Sequence, residues 1–520
     1  MKKRTAFNPS AQGISRRSLL RGAAALGVMG AASTMAVGCS PKETGGSSSD
    51  HADLGSIKWD EETDVVVVGA GGAGSMAALE TKKAGAEVIV FESNGTAGGS
   101  TSLSSQAICG GGTWLQEKLG VEDTPEAFYE YLCSAGDGDE AMWRIYADNA
   151  PALIDWLTEI GVTFPEDLGH TPGLEYGGQE NQAPELPLVR RVHWSDKEKG
   201  GIWSFVWNEV QKADIDVRLK TPVERLLFDP GTREVKGVVA DGKNIKARKG
   251  VVLCGGGFPT NAEMMRENIS KFPILAQGSP ECDGSAIRMA IDAGAACMGW
   301  GWGATAGYLN GSIEEGKGQA ASAFIQLTHN SAPHSEIPYI VVDSFGKRLI
   351  SELDIVNIAS AILSKTANGV AYQITNDIGA LDLNWGQVGE VKYETADTVE
   401  ELAEKLGINP EGLRKTVESW DGYIANGEDP EFGRTNLYPF GNGPFAGVEM
   451  YPCVLDTYGG PLTDAEMRVL KAIDHEPIPR LYRGGVLGFR TYPLCGAAVG
   501  MALCTGMIAG RNVAALENWQ

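Results

Sequence analysis

The 520-residue sequence has nine cysteines, but no two of them have the C-x-x-C spacing. It therefore contains no C-x-x-C-H haem-attachment site and no local set of cysteines for an iron–sulfur cluster. We interpret most of the cysteines as small buried core residues, although their pairing cannot be deduced from the sequence. His170, His329 and His334 have no metal-ligand spacing with one another. We predict no metal site.

Basic residues are also scarce, since the sequence has 44 Lys and Arg but 67 Asp and Glu, which gives a formal net charge of −23. This acidity disfavours nucleic acid and anionic lipid as partners, and it is compatible with docking of a basic electron carrier. Solubility alone explains it equally well. Beyond the N-terminus no segment approaches the length of a membrane span, and no internal repeat is evident.

The N-terminus resembles an export signal. A basic start leads to Ser15-Arg16-Arg17-Ser18, and a short apolar run rich in Ala and Gly continues from Gly22 to Gly38. This order predicts a twin-arginine signal over residues 1–39, which directs the folded protein to the periplasm or the outer face of the cell membrane. These residues carry six basic and no acidic side chains, so their removal changes the net charge from −23 to −29.

Cys39 lies where the signal would end. Ala36-Val37-Gly38-Cys39 resembles a lipoprotein cleavage box, except that Ala stands three positions before the cysteine where Leu is usual. Residues 40–60 follow, and their Gly and Ser content predicts a flexible linker. With acylation of Cys39 the protein would be anchored to the membrane; without it, this stretch is only a frayed terminus.

One continuous strand–turn–helix–strand pattern runs from Asp64 to Glu92. Gly69 suits a tight turn, Gly71 lets the backbone approach a pyrophosphate, and Gly74 lets helix and strand pack closely. The helix N-terminus offers unpaired N–H groups to phosphates. Glu92 stands where a carboxylate accepts hydrogen bonds from a ribose and would repel a 2′-phosphate. The pattern predicts FAD or NAD as ligand rather than NADP.

Further segments resemble the FAD-dependent fumarate reductase and 3-ketosteroid dehydrogenase superfamily, from about Asp64 to the C-terminus. They are Gly98-Gly99-Ser100-Thr101, Thr221-Pro222-Val223, Val251 to Phe258 and Cys282-Asp283-Gly284. The resemblance implies FAD as cofactor. The residues that we predict to bind it are Gly69, Gly71, Gly72, Ala73, Gly74, Glu92, Ser93, Gly98, Gly99, Ser100, Thr101, Ser104, Ser105, Val223, Gly256, Gly257, Asp283, Gly500 and Met501.

The segment from Thr491 to Gly500 is the most specific part of this resemblance, and an apolar helix follows it from Met501 to Ala515. In ketosteroid dehydrogenases a matching tyrosine hydroxyl and glycine N–H hydrogen-bond the keto oxygen of the substrate. Carried over, Tyr492 and Gly496 would form an oxyanion hole that stabilises enolate charge. The alternative is a Tyr-Pro turn that merely caps a packed helix.

The resemblance also implies an α/β fold, with a Rossmann-like FAD-binding domain split in sequence and an inserted α+β capping domain. We predict the first part of the FAD domain at residues 61–295, the capping and substrate domain at 296–444, and the second part at 445–520. Within the cap, Thr398 to Leu406 and Glu411 to Tyr423 are expected to form amphipathic helices.

The usual proton donor of the superfamily is missing. The segment from Gly346 to Glu352 resembles the strand and acid that precede this donor by four positions, but the donor position holds Val356, which transfers no proton. Asp456 and Pro493 stand where fumarate reductases have a histidine and an arginine. Without those cations a dicarboxylate would be buried unpaired, so fumarate is disfavoured as substrate.

Other residues could replace the missing donor, but the sequence does not place any of them near the flavin. Tyr458, Tyr339 and Asp354 are the remaining candidates. His193 could also donate a proton, although a histidine whose hydrogen bonds are satisfied by backbone is the more common situation.

We therefore expect an exported FAD oxidoreductase that reduces a carbon–carbon double bond conjugated to a carbonyl, by hydride transfer from flavin N5. A quinol- or cytochrome-linked partner would supply electrons, because a second dinucleotide fingerprint and haem or cluster motifs are missing. The first alternative is a 3-ketosteroid-type dehydrogenase that passes electrons outward. The second is a flavin-bearing electron carrier without catalysis of its own.

Overall fold

The fold was examined in a computed structural model. It describes residues 57–135, 139–166, 168, 185–268, 275–276, 278–310, 319–322, 339–352, 354, 357–376, 393–434, 437–485 and 496–519. The predicted signal, Cys39, Val356 and Tyr492 lie outside the described residues, so the predictions made for them stay predictions.

Twelve helices and seventeen strands are described in these ranges. The helices are α1 Gly72–Lys83, α2 Gly99–Leu103, α3 Trp114–Lys118, α4 Pro125–Ala135, α5 Glu140–Glu159, α6 Gly201–Lys212, α7 Ala262–Asn268, α8 Ser285–Asp292, α9 Ile358–Lys365, α10 Val399–Leu406, α11 Pro410–Asn426 and α12 Ala497–Ala514. The strands are β1 Glu61–Val68, β2 Val88–Phe91, β3 Ala107–Cys109, β4 Val192–Trp194, β5 Asp216–Arg218, β6 Val223–Phe228, β7 Val235–Ala240, β8 Lys243–Leu253, β9 Leu275–Ala276, β10 Cys297–Asn310, β11 Gln319–Ser322, β12 Tyr339–Val342, β13 Ala371–Thr375, β14 Glu394–Ala396, β15 Phe445–Pro461, β16 Arg468–Leu470 and β17 Pro477–Arg483.

The first large sheet is a parallel sheet extended by antiparallel strands. Its order is β16-β17-β8-β1-β2-β5, with the β6–β7 hairpin attached to β8. Strand β1 pairs in parallel with both β2 and β8, and Val65 to Val68 are buried because this central strand is covered on both faces. The α/β fold with a Rossmann-like sheet is confirmed.

The second large sheet is organised by β15, which is seventeen residues long. The first half of β15 pairs with β13 and β14, and its second half pairs with β10. The predicted domain boundaries at 295/296 and 444/445 therefore fall immediately before two strands that pair with each other. The residues from His51 to Gln520 pack as one compact unit.

Both amphipathic helices predicted in the inserted segment are confirmed. Helix α10 begins after Thr398, whose side chain accepts a hydrogen bond from the N–H of Glu401. Helix α11 begins after Asn409, which caps it in the same way, and Pro410 occupies its first turn. Capping by Thr and Asn satisfies N–H groups that have no partner within the helix. Local sequence signals therefore fixed these two helix starts.

The inserted segment contains a buried ion-pair network around Arg348. The guanidinium of Arg348 makes two hydrogen bonds with Glu352, at 3.0 and 2.7 Å, and a third with Asp429 at 3.1 Å. Arg434 donates to Glu352 at 3.2 Å and to the carbonyl oxygen of Tyr339 at 2.6 Å. Since these side chains are buried, each charge depends on its partners for solvation. Glu352 thus serves the packing of this segment.

Helix α12 crosses α1 at very close range. A Cβ at Gly506 would overlap the carbonyl oxygen of Ala73, and one at Gly510 would overlap that of Ala77. The helix is long and apolar enough to cross a membrane by length and composition, but 78% of it is buried inside the protein. Its apolar character is explained by this burial. Among the seven described cysteines five are buried, as interpreted from the sequence.

Candidate active site

A cleft lies at the carboxyl ends of the parallel strands of the first sheet. Strands β1, β2 and β8 end immediately before Gly69, Glu92 and Cys254, and all three residues line it. Its volume, including a part open to solvent, is about 1070 Å³. Ligands of open α/β sheets bind at this edge, where strand order reverses.

The glycines in the turn after β1 are needed for two different reasons, which are packing within the protein and space for a ligand. Gly69 has φ +99° and a Cβ there would lie 2.5 Å from the carbonyl oxygen of Cys254, and a Cβ at Gly74 would overlap the carbonyl oxygen of Gly69. These two glycines are therefore required by the protein itself. Gly71 differs, because the nearest atom to its added Cβ is the carbonyl oxygen of Gly98 at 3.7 Å. The open space beside Gly71 is the space that a pyrophosphate needs.

Glu92 is held rigidly at the edge of the cleft. One carboxylate oxygen accepts from the N–H of Ala70 at 2.7 Å, and the other from the N–H of Asn94 at 2.8 Å. The Ser93 hydroxyl also donates to the second oxygen at 3.4 Å. A carboxylate has about four acceptor positions, so one remains for a ribose hydroxyl. The side chain is buried apart from this face, which fits the predicted contact with a ribose.

The segment from Gly98 to Ser104 folds over the glycine turn. The N–H of Gly72 donates to the hydroxyl of Thr101 at 3.2 Å, and the N–H of Gly98 donates to the carbonyl oxygen of Ala70 at 3.0 Å. Ser100 lies 3.8 Å from the thiol of Cys282. Small side chains in this segment leave its backbone accessible from the cleft.

Helix α12 begins at the cleft. Ala498 and Val499 in its first turn line the cleft, and the first N–H groups of any helix have no partner within it. Gly496 precedes the helix with φ +87°, and its added Cβ would lie 3.0 Å from backbone atoms of Ile108. The partial positive charge at this end favours an anion or a carbonyl oxygen nearby.

Thirteen of the predicted cofactor-binding residues line the cleft. They are Gly69, Gly71, Gly72, Ala73, Glu92, Ser93, Gly99, Ser100, Thr101, Ser104, Val223, Gly256 and Gly257. The structure thus brings together segments that are far apart in the sequence, and a Rossmann-type cleft with an acid at the end of the second strand is typical of a dinucleotide-binding protein.

Six predicted residues do not line the cleft. Gly74 packs under the turn, Gly500 faces the hydroxyl of Tyr146, and Met501 is buried in the core. The carboxylate of Asp283 accepts from the N–H of Ser285. The six residues are Gly74, Gly98, Ser105, Asp283, Gly500 and Met501.

Several lining residues were not predicted to contact the cofactor. Gly484 and Gly485 follow β17, much as Gly69 follows β1, and this strand–glycine pattern was a usable sequence signal. Thr505 on α12 fixes Gly485 by accepting its N–H at 2.8 Å. Pro222, Cys254, Gly255 and Cys282 lie in segments that resemble the superfamily, but no local pattern pointed to Ser279, Glu281 or Ser285. The unpredicted lining residues are Val68, Phe91, Pro222, Cys254, Gly255, Ser279, Glu281, Cys282, Ser285, Asp456, Gly485, Ala498, Val499 and Ala502.

None of the proton donors considered from the sequence lines the cleft. His193 is buried, its ring nitrogens lie 2.8 Å from the carbonyl oxygen of Arg191 and from the hydroxyl of Thr113, and burial lowers its pKa to about 4. This histidine is satisfied within the protein. Tyr458 and Tyr339 are also buried, and burial raises the pKa of each.

Asp354 is likewise engaged outside the cleft. Its carboxylate accepts from the backbone and the side chain of Asn357, at 3.3 and 3.0 Å. It does not line the cleft. In the described part of the chain no group of three His, Cys, Asp or Glu residues is arranged to hold a metal ion.

Comparison with known proteins specifies the class further. Residues 64–499 match the family described as "FAD binding domain". A digoxin reductase of Eggerthella lenta is 28% identical over 561 residues, which span 98% of this chain and 98% of that protein. The open conformation of a flavocytochrome c3 fumarate reductase superposes with a TM-score of 0.70 at 26% identity, covering 88% of this chain and 78% of that one.

A second solved structure is that of a 3-ketosteroid-delta4-(5alpha)-dehydrogenase from Rhodococcus jostii RHA1 in complex with 4-androstene-3,17-dione. Its TM-score is 0.62 at 26% identity, covering 88% of this chain and 98% of that one. The chain belongs to the FAD binding domain family. It is an FAD-dependent oxidoreductase that acts on carbon–carbon double bonds, and its cofactor is FAD.

Proposed function

We propose that this enzyme reduces a carbon–carbon double bond conjugated to a carbonyl group in an uncharged acceptor. The observation that carries the proposal is the start of α12 at the cofactor cleft, where Gly496 precedes a first turn that lines the cleft. Unpaired N–H groups at a helix start stabilise negative charge on a carbonyl oxygen. Tyr492, proposed as the second donor to that oxygen, completes this arrangement.

In this reaction the residues of the cleft hold the cofactor and determine which charge the acceptor can carry. Bound FAD supplies hydride chemistry. The turn around Gly71 and the carboxylate of Glu92 hold the cofactor, with Thr505 and Gly485 fixing the wall beside it. An uncharged acceptor is favoured because no Lys, Arg or His occurs among the described lining residues, whereas Glu92, Glu281 and Asp456 do. A dicarboxylate there would be buried without a cation.

The reverse reaction is the second candidate. The similarity to a 3-ketosteroid dehydrogenase, together with the matching Tyr492 and Gly496 positions, favours desaturation of a ketosteroid with electrons passed to an external acceptor. Both directions use the same donors to the carbonyl oxygen. They differ in whether a reduced donor or an oxidised acceptor must be present.

A direct assay distinguishes these directions. The purified holoenzyme, reduced anaerobically by a viologen, should oxidise the dye when a simple enone, a steroid enone or an aryl acrylate ester is added. The matched saturated ketone serves as control and should give no oxidation. Turnover only of a saturated 3-ketosteroid with a dye acceptor would assign the enzyme to desaturation. No turnover in either direction would refute the proposal.

We also propose that the enzyme is exported by the twin-arginine route and receives electrons there from a quinol- or cytochrome-linked partner. The Arg16-Arg17 pair before an apolar run supports export, and the acidic composition suits a basic electron carrier. Replacing Arg16 and Arg17 with Lys should leave the protein in the cytoplasmic fraction, whereas the native chain fractionates with the periplasm or membrane. The same distribution of the variant and the native protein between the cell fractions would contradict the proposed route.

A further inference from the structure

Asp456 is an acidic residue in the cleft, and no contact with a described residue explains why an acid is placed there. It lies on β15, is half-buried, and lines the cleft together with the cofactor-binding glycines. Among the described residues it has no hydrogen-bond or ion-pair partner, whereas Glu92 has two backbone donors. Buried carboxylates are normally paired, so an unpaired one at a ligand site is a candidate for function.

The position of Asp456 is fixed by its neighbour in the chain. The hydroxyl of Thr457 accepts from the N–H of Phe258 at 2.7 Å, and it occupies the place where a Cβ of Gly257 would be. This contact holds β15 against the glycine loop that follows β8. Asp456 is therefore presented to the cleft by a rigid strand, which is the requirement for a group that must meet a reacting atom.

We propose that Asp456 is the catalytic acid of the cleft, which supplies the proton that completes reduction of an uncharged acceptor. This inference rests on the proposed direction of the reaction. It assigns a role to the residue that stands where fumarate reductases have a histidine, and it offers a replacement for the donor that is missing at Val356.

Burial of Asp456 favours its protonated form. Desolvation raises the pKa of Asp456 to about 7, so that half of the molecules carry the proton near neutral pH. The groups that face it are Cys282 and Tyr458. Burial raises the pKa of each, and the negative charge of ionised Asp456 raises it further. Both neighbours therefore stay neutral, and neither stabilises the ionised carboxylate. An acid with a pKa near the working pH is well suited to proton transfer.

The reaction balances with this assignment. The acceptor gains one hydride and one proton, and its carbon–carbon π bond is lost. The two electrons of the hydride come from two equivalents of a low-potential one-electron donor, which the assay supplies as a reduced viologen, and the proton of the hydride comes from water. The O–H bond of Asp456 breaks as a C–H bond forms next to the carbonyl, and the carboxylate then regains a proton from water.

The test compares Asp456→Asn with Asp456→Glu and with Asp421→Asn. Asp421 is an exposed acid on α11 and serves as control. Asp456→Asn should lower enone turnover about 100-fold, as expected for loss of a general acid, with a much smaller change in KM. Native turnover should fall as the pH rises through about 7, because only the protonated form donates. Asp456→Asn should lose this pH dependence, and Asp456→Glu should regain part of the rate.

A second readout does not depend on turnover. Infrared difference spectra of the oxidised holoenzyme should contain a protonated carboxyl band that disappears between pH 6 and 8, on the order of one pH unit either side of the pKa. This band should be absent in Asp456→Asn and present in Asp421→Asn. Binding of an aryl acrylate anion should improve in Asp456→Asn at pH 8, while binding of its methyl ester should not.

The outcomes separate the two proposals. Native turnover with an unchanged rate in Asp456→Asn would overturn the role of Asp456 and leave the proposed function intact. No native turnover of any enone would refute the proposed function, and the infrared band would still decide whether Asp456 is a protonated acid. Loss of FAD from Asp456→Asn would show that the residue holds the cofactor, and it would equally overturn the inference.

Discussion

Replacing Gly71 with Val should abolish retention of FAD while leaving the protein folded. The backbone of Gly71 has φ −77° and ψ −170°, which valine adopts readily, and the nearest protein atom to a Cβ lies 3.7 Å away. The added methyl groups would occupy the space beside the first turn of α1. Displacing a pyrophosphate from two helix N–H groups costs about 1.5–3 kcal/mol for each charge-assisted hydrogen bond. We expect FAD affinity to fall on the order of a thousand-fold.

The measurement is the FAD content of the purified variant, followed by titration of the apoprotein with FAD. Gly422→Ala is the control, because Gly422 lies in helix α11 with no atom within 4 Å of an added Cβ. This variant should bind FAD normally and gain up to about 1 kcal/mol of stability. A Gly71→Val protein that retains a full complement of FAD would contradict the assignment of the glycine turn. A Gly71→Val protein that fails to fold would show that Gly71 is needed for folding rather than for FAD binding.

Replacing Arg348 with Met should produce the largest loss of stability among single substitutions in the inserted segment. The substitution keeps an apolar stem but removes the cation that pairs with Glu352 and Asp429. Their carboxylates would then be buried with fewer donors, and removing one partner of a buried ion pair costs about 3–5 kcal/mol. Arg434 compensates only in part, since its hydrogen bond to Glu352 is 3.2 Å long.

Urea unfolding should detect this loss as a lower midpoint. Trp420 reports on the same site, because the Arg348 guanidinium lies 4.9 Å from its ring. Arg414→Met is the matched control: its pairs with Glu400 and Glu418 are solvent-exposed and should contribute less than about 1 kcal/mol. Equal unfolding midpoints for the two variants would contradict the importance of the buried network.

The sequence and the structure agree best where the relevant residues are contiguous. The strand, glycine turn and helix after Asp64 were predicted within a few residues, as were the capped helices α10 and α11. Hydrophobic periodicity, capping residues and glycine turns are local properties of the chain. A local signal also identified Glu92, because its distance from the glycine turn is fixed by the length of one helix and one strand.

Agreement was poorest for residues whose role depends on a distant neighbour. Gly500 was predicted to contact the cofactor, but its small size is explained by the hydroxyl of Tyr146 on another helix. Glu352 was identified from the sequence only as the acid before a missing proton donor, and its pairing with Arg348 and Arg434 is seen only in the structure. Such contacts are created by packing between elements, and no periodicity in the sequence encodes them.

By itself, the sequence determined that a Rossmann-type unit exists and that an acid follows its second strand, since a few adjacent residues specify that geometry through backbone sterics. Only the tertiary structure decided which distant groups share the cleft. It placed Asp456 beside the cofactor-binding glycines and left His193, Tyr339 and Tyr458 in the interior. The physical reason is that the protonation state and accessibility of an acid depend on burial and on neighbours from other strands, which exist only after the chain has folded.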